Sequence, residues 1–324
     1  MEMHQLRYFS KVAELGSVTR AAEACFVSQP SLSQQIAKLE QELGQPLFER
    51  LGRGVRLTRA GHLFKQYCDQ ILSLTEDART RVVDEPDSGH LVVAAIPTVA
   101  PYFLPGVLCG FLKEVPRAHV EIREDTTQEL LRQLASGDID LAIIALPIDA
   151  DQIETTPLFT EELVLAMPAG HPMAHRRRLT MRDLASEPFV VLNEAHCLTG
   201  NVLSFCSTQD MVPFVVSRSH QLLTVLELVR LGQGVSLIPK MAVPKGADAG
   251  RVYRTLSGDK PSRTIAVAWR KARYQTQLFQ RFLTYCRRAG AGAQPGHAVR
   301  ARRAHQVAER ASSLKSGSLG PRDG

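Results

Sequence analysis

The stretch AAEACFVSQPSLSQQIAKLEQELGQPLFERLGRGVRLTRAG, Ala21 to Gly61, holds a short helix, a longer helix and a hairpin in immediate succession. Ser28 stands just ahead of a run with Pro30 in its first turn and Leu32, Ile36, Leu39 and Leu43 at helical spacing. That pattern predicts a serine-capped amphipathic helix with Gln29, Ser31, Ser33, Gln34 and Lys38 on its exposed face. Upstream, Ser17 caps a helix over Val18 to Cys25, whose Ala21 and Ala22 are small enough to let another helix cross closely. Ahead of it, Leu6, Phe9, Val12, Ala13 and Leu15 recur at helical spacing from Met3 until Gly16 stops the run. Two capped helices with a brief turn make a helix-turn-helix, and polar side chains on the second suit base edges and phosphates. In PLFERLGRGVRLT, Arg50, Arg53 and Arg56 surround Gly52 and Gly54, as in a hairpin wing reaching backbone or minor groove. An ordinary helical subdomain would also expose Gln, Ser and Arg.

At nearly every characteristic position this stretch resembles the winged helix-turn-helix of LysR-type transcriptional regulators. The resemblance implies double-stranded DNA as partner, with Ser28, Gln29, Pro30, Ser33 and Gln34 at the major groove and Arg50 and Arg53 on phosphates or minor groove. Thr58 caps a further helix, Arg59 to Val83, with an apolar stripe of Leu63, Tyr67, Ile71, Leu74 and Ala78. Such a stripe can pack on the chain's own second domain. The resemblance implies instead a linker that forms a homodimer or homotetramer, reading a partly palindromic operator with half-sites about 34 Å or a multiple apart. RNA polymerase is a further implied partner. DEPDSG, Asp84 to Gly89, reads as a hinge.

The chain has 324 residues, a formal charge of +6 and six cysteines. Its length predicts more than one domain, and its charge suits a polyanionic partner. Cysteine density is far below that of a disulfide scaffold, no CxxC or Cys/His cluster has zinc spacing, and no apolar run approaches the roughly 18 residues of a membrane span. These features predict a cytoplasmic protein without metal or cofactor.

From His90 the punctuation changes. LVVAAI, HVEIRE and IDLAIIAL read as strands separated by helices after Pro101 and over TQELLRQLASG. The alternation repeats through LVLAMP, FVVLN, PFVVSR and VSLIP, predicting parallel sheets in two lobes. TIAVAW, Thr264 to Trp269, and a helix from Tyr274 to Cys286 would return to the first lobe. The fold class is therefore α/β: an N-terminal winged helix-turn-helix (1–58) and a linker helix with hinge (59–87), joined to a two-lobed, periplasmic-binding-protein-like sensor (88–288). Residues 289–324, poor in large apolar side chains, read as a disordered basic tail. No glycine-rich phosphate loop, GxSxG elbow or HExxH points to an enzyme.

HCLTGNVLSFC, His196 to Cys206, sets two cysteines nine positions apart. In a helix they stand about 13 to 14 Å apart on opposite faces, whereas a disulfide needs Cα atoms within about 7 Å. Joining them would require unwinding, eased by Gly200 and Asn201. Two buried cysteines acting as small hydrophobes is the alternative. Together with IPTVAPYFLP, DTTQELL and SLIPKMAVP, the stretch resembles the OxyR-like, peroxide-sensing branch of the LysR family over residues 3 to 286. The resemblance implies that Cys197 is oxidised to a sulfenic acid and Cys206 resolves it as a disulfide, with Thr98, Thr127, His196 and Arg263 around the reactive thiol. Moving a two-state population from 1:99 to 99:1 takes about 5.5 kcal/mol, roughly 120 mV for a two-electron couple. Thr199 and Gly200 replace the Arg-Asp pair usual after the first cysteine in that branch, which leaves the loop's hydrogen bonding open. Cys25, Cys68, Cys109 and Cys286 are read as packing residues. A LysR-type regulator answering to a small molecule between its lobes is the second reading.

Overall fold

The computed structural model describes the chain except residues 53, 83–87, 247, 249, 272 and 294–324, and the side chains at 50, 51, 77, 80, 81 and 293. The expectations for Arg53, for the side chain of Arg50, for most of the hinge and for the tail beyond Ala293 lie outside the described residues. The chain divides into two units, one of residues 1–84 with 272–276, the other of 85–271 and from 277 onward.

The first unit strings together α1 (Met3–Leu15), α2 (Val18–Ala24), α3 (Gln29–Leu43), β1 (Phe48–Leu51), β2 (Gly54–Leu57) and α4 (Arg59–Val82). The side chains read as caps do cap: Ser17 accepts from the amide of Arg20, Ser28 from Ser31, and Thr58 from Gly61. Gly16 and Gly44 close α1 and α3 in left-handed conformation. Phe9 sits against the rings of Phe48 and Phe64 at 5.2 and 4.9 Å, with Leu6, Val12, Leu32, Ile36 and Leu39 buried around it. Leu43, assigned to the same apolar face, is exposed because it ends its helix beyond the core. β1 and β2 pair antiparallel as the wing, where Arg56 is held by Glu49. On α4, Phe64, Cys68, Ile71 and Leu72 pack on the core, whereas Leu63, Tyr67 and Leu74 of the predicted stripe are each 57% exposed.

The second unit contains β3 (Ser88–Ala95), α5 (Ala100–Glu114), β4 (Arg117–Glu124), α6 (Thr127–Ser136), β5 (Leu141–Leu146), β6 (Ile153–Pro168), β7 (Pro188–Leu192), α7 (Cys197–Thr208), β8 (Phe214–Ser219), α8 (Leu222–Arg230), β9 (Ser236–Pro239), β10 (Arg251–Arg254), β11 (Ser262–Arg270) and α9 (Gln277–Ala293). Strand order is β10-β6-β11-β5-β3-β4, with β9 also on β6. The expected parallel pairing holds for β4, β3 and β5 and, in the second lobe, for the separate pair β7 and β8. β11 re-enters from the second lobe and runs antiparallel to both β5 and β6, so the sheet is mixed. β6 belongs to both lobes: residues 153–162 pair with β11, and 163–168 with β9 and β10. Two apolar cores result, one around Val93, Ile143 and Phe282, the other around Leu165, Phe189 and Val225. The helix expected over Tyr274 to Cys286 begins at Gln277 and runs to Ala293, into the stretch assigned to the tail. Among the described residues no helix is long and apolar enough to cross a membrane.

Gly61 shows how tightly α4 is seated on the wing. A Cβ at this position would lie 2.1 Å from the Leu47 carbonyl oxygen. Gly61→Ala is therefore expected to destabilise the first unit by about 2 kcal/mol. The far-UV circular dichroism transition should fall, while that followed by the single tryptophan, Trp269 of the second unit, stays in place.

Candidate functional site

α7 begins at Cys197 and spans twelve residues, so the helix assumed for the cysteine stretch is the one observed. Its two thiols belong to different cores. Cys197, half-buried, packs against the core of the first lobe. Cys206 lies with Leu198 and Val202 in the core of the second, at 0% exposure. Both are free thiols, and nine helical steps hold them about 13 to 14 Å apart. Burial pushes the Cys206 thiol up to about 11, which keeps it protonated near neutrality.

His196 is the residue before the helix and is buried. Loss of water around the ring holds its pKa below the ordinary value, against the opposing pull of a hydrogen bond to the His220 backbone. Thr199 is buried too. Its hydroxyl donates to the Leu192 carbonyl at 2.8 Å, tying the first turn of α7 to the end of β7.

Arg263 on β11 faces Glu161 on β6 across the antiparallel register. It is 2% exposed, and its guanidinium donates from Nε to the Glu161 carboxylate at 2.9 Å, with a second nitrogen 2.7 Å from the same oxygen. The remaining donors reach the Thr98 hydroxyl at 2.7 Å and the Thr98 carbonyl at 3.1 Å. The other carboxylate oxygen accepts from the Met241 amide. Of the four residues assigned to the reactive thiol's surroundings, the structure thus bonds Arg263 to Thr98. The acid that completes this network, Glu161, was missed. Its signal was there: acids at 161 and 162 stand immediately before the apolar run LVLAMP, and a buried carboxylate needs a partner.

Thr127 opens α6, but the cap is its neighbour Thr126, which accepts from the Glu129 amide. The Thr127 hydroxyl is buried without a hydrogen-bond partner. Thr98 and Thr127 follow the carboxyl ends of β3 and β4, which run parallel with Ala95 beside Glu124. Crevices at such strand ends are where open α/β sheets take ligands. In the first unit, Ser28, Gln29, Pro30 and Gln34 are exposed on α3, and Gln29 donates to the half-buried Ser33 at 2.9 Å.

Two family models match. The model for bacterial regulatory helix-turn-helix proteins of the lysR family covers residues 3–62, and that for the LysR substrate binding domain covers 84–291. The chain belongs to the LysR family. The "Hydrogen peroxide-inducible genes activator" of Pectobacterium carotovorum subsp. carotovorum is 36% identical over 273 residues, spanning 83% of this chain and 90% of that one. A full-length OxyR from Pseudomonas aeruginosa carrying a cysteine-to-aspartate substitution has 32% identity and a TM-score of 0.71, covering 90% of this chain and 94% of the other. A Corynebacterium glutamicum OxyR cysteine-to-serine mutant, H2O2-bound, has 32% identity and a TM-score of 0.61, covering 89% and 92%.

As a LysR-type DNA-binding regulator, the chain has further cysteines outside α7. Cys68 and Cys286 are buried, and burial pushes each thiol up to about 12, as befits packing residues. Cys25 is half-buried. Cys109, expected to pack, is exposed on α5 because it faces away from the core that Val107 and Phe111 enter. Among the described residues no group of three or more His, Cys, Asp or Glu is arranged to hold a metal ion.

Breaking the buried ion pair from one side leaves a charge without its partner. Arg263→Met or Glu161→Met alone should cost about 3 kcal/mol or more in urea unfolding, and the double variant less than the sum. For His196, the folded form resists protonation, so its contribution is complete above about 6.5 and is lost as pH falls through the lower folded value. The melting temperature of wild type should therefore approach that of His196→Asn as pH is lowered below about 6.5. A gap between them that stays constant with pH would show that the ring does not titrate in this way.

Proposed function

We propose that this LysR-type regulator answers to hydrogen peroxide through a reversible Cys197–Cys206 disulfide that remodels the sensor and its DNA contacts. The observation carrying this reading is that one helix holds Cys197 at its first turn against the first lobe and Cys206 inside the core of the second. The names of the relatives support the stimulus. The Cys197 thiolate attacks one peroxide oxygen; the S–O bond forms, the O–O bond breaks, and the departing hydroxide takes a proton to leave as water. The Cys206 thiolate then attacks the sulfenic sulfur and displaces the second oxygen, also lost as water. Sulfur gives up two electrons per peroxide.

Arg263 already donates to Thr98 and Glu161, so its part is to orient Thr98. The Thr98 hydroxyl accepts from the guanidinium and keeps its own proton to offer a peroxide oxygen, and the unpartnered Thr127 hydroxyl offers another. His196, held neutral, can accept or donate at the same place. Cys206 cannot resolve while buried and protonated; α7 must open first. Opening shifts the lobes and, through subunits joined along the exposed Leu63, Tyr67 and Leu74 face of α4, the spacing of the DNA-reading heads. In those heads Ser28, Gln29, Pro30, Ser33 and Gln34 face the major groove of a partly palindromic operator, Arg50 and Arg53 its phosphates or minor groove, and RNA polymerase is the downstream partner.

Brief exposure to stoichiometric peroxide followed by non-reducing peptide mapping should yield a Cys197–Cys206 linkage in wild type. Cys206→Ser should accumulate a sulfenic acid captured by dimedone, and Cys197→Ser neither product. If Cys197→Ser and wild type gave the same peroxide-dependent DNA footprint, the cysteine switch would be wrong, and a small molecule between the lobes would become the stimulus to seek.

A further inference from the structure

Among the described residues of the first unit, Phe26 is the one large side chain whose backbone and surroundings both work against it. α2 ends in a Schellman turn: the Val27 amide donates to the Ala22 carbonyl at 3.0 Å and the Phe26 amide to the Glu23 carbonyl at 3.1 Å. Phe26 occupies the left-handed position of that turn, at φ +56°. At the corresponding ends of α1, α3 and α6 the chain places Gly16, Gly44 and Gly137. At the end of α7 it places Asp210, an acid that tolerates this conformation. An aromatic there is strained, and burial does not offset the strain, because Phe26 is 95% exposed while Cys25 and Val27 on either side pack on the core.

The place is informative. Phe26 lies two residues ahead of Ser28, the cap of α3, and like Gln29 at the start of that helix it is exposed. The ring therefore continues, as an apolar element, the polar surface that the preceding reading turns toward DNA. We infer that Phe26 is a DNA contact, an apolar finger that lies on C–H-rich surface of the duplex, either a thymine methyl or deoxyribose, where α3 enters the groove. Its strain is then retained for binding and not for folding. The inference rests on the α3 reading above, and the two can fail separately.

The test uses full-length protein and a duplex that wild type selects from a random pool. Phe26→Asn and Phe26→Gly relieve the left-handed strain and remove no buried surface, so both should melt at or above the wild-type temperature. Both should also bind the duplex roughly tenfold more weakly, while Phe26→Tyr retains affinity. Because no phosphate charge is removed, the slope of log affinity against log salt should be unchanged. Replacing thymines by uracil one at a time separates the two sources. A position at which wild type loses affinity and Phe26→Asn does not is the methyl contact, and no such position assigns the ring to deoxyribose. Affinity within twofold of wild type in both variants overturns the inference. So does a loss accompanied by a lower melting temperature or an altered oligomeric state, since the ring would then serve the fold or a second copy of the chain. Gln34→Ala is the control for the underlying reading. If it weakens binding and the Phe26 variants do not, only the inference falls; if neither does, the DNA-facing assignment of α3 falls with it.

Discussion

Helix α7 keeps its two thiols apart, and the proposed switch depends on that separation. Nine residues of helix put its two cysteines on opposite faces, and the faces are claimed by different cores, Cys197 by that of the first lobe and Cys206 by that of the second. Leu198 and Val202 share the core of Cys206, so no movement of that thiol is local to it. Close packing resists continuous deformation, so on the proposed function the helix would be either seated, with both apolar surfaces filled, or unseated, with both disturbed. The proposed covalent bond between the sulfurs would select the second condition.

Around this helix the framework is comparatively rigid. β6 is shared by both lobes, and at its midpoint Glu161 ties β11, the turn after β3 and the Met241 backbone together through one buried carboxylate and one guanidinium. An ion pair so enclosed contributes little net stability compared with an apolar pair of the same shape, yet it fixes the direction of every donor it contains. The chain thus buries a charged pair beside Thr98, which the proposed function needs aimed. α7, by contrast, carries Gly200 and Asn201 mid-helix, both weak helix formers, and a Cβ at 200 would meet nothing.

The DNA-binding head was readable because its signals are local. Ser17, Ser28 and Thr58 act within three residues of themselves, and the apolar spacing of α1 and α3 reports burial directly. Leu43 failed for the same reason in reverse: periodicity does not say where the core ends. The sensor was readable as alternating strands and helices but not as a sheet, since nothing local in Ser262–Arg270 tells that it pairs antiparallel with two strands that both lie far back in the chain. Glu161 escaped notice because its partner lies across that pairing. Thr126 and Thr127 are both competent caps, and only the backbone decides which accepts from Glu129 and which hydroxyl is left over. The cysteine pair was legible through resemblance and helix geometry together, because spacing alone is equally that of two packing residues.

Thr199 and Gly200 carry no charge where the related branch has an Arg-Asp pair, and the structure shows what takes its place. The Thr199 hydroxyl donates to the Leu192 carbonyl, a neutral bond sealed from solvent, and apolar packing does the remainder. Such a bond exists only while the first turn of α7 is intact. Once the turn opens, the Leu192 carbonyl must find water or stay unsatisfied, at a cost of about 1 to 3 kcal/mol. The seated helix is thus held by terms that salt screens weakly, unlike an exposed ion pair. On the proposed function its balance with an unseated form would be set chiefly by burial, so the loop would draw its poise from the second lobe's core and not from surface charge.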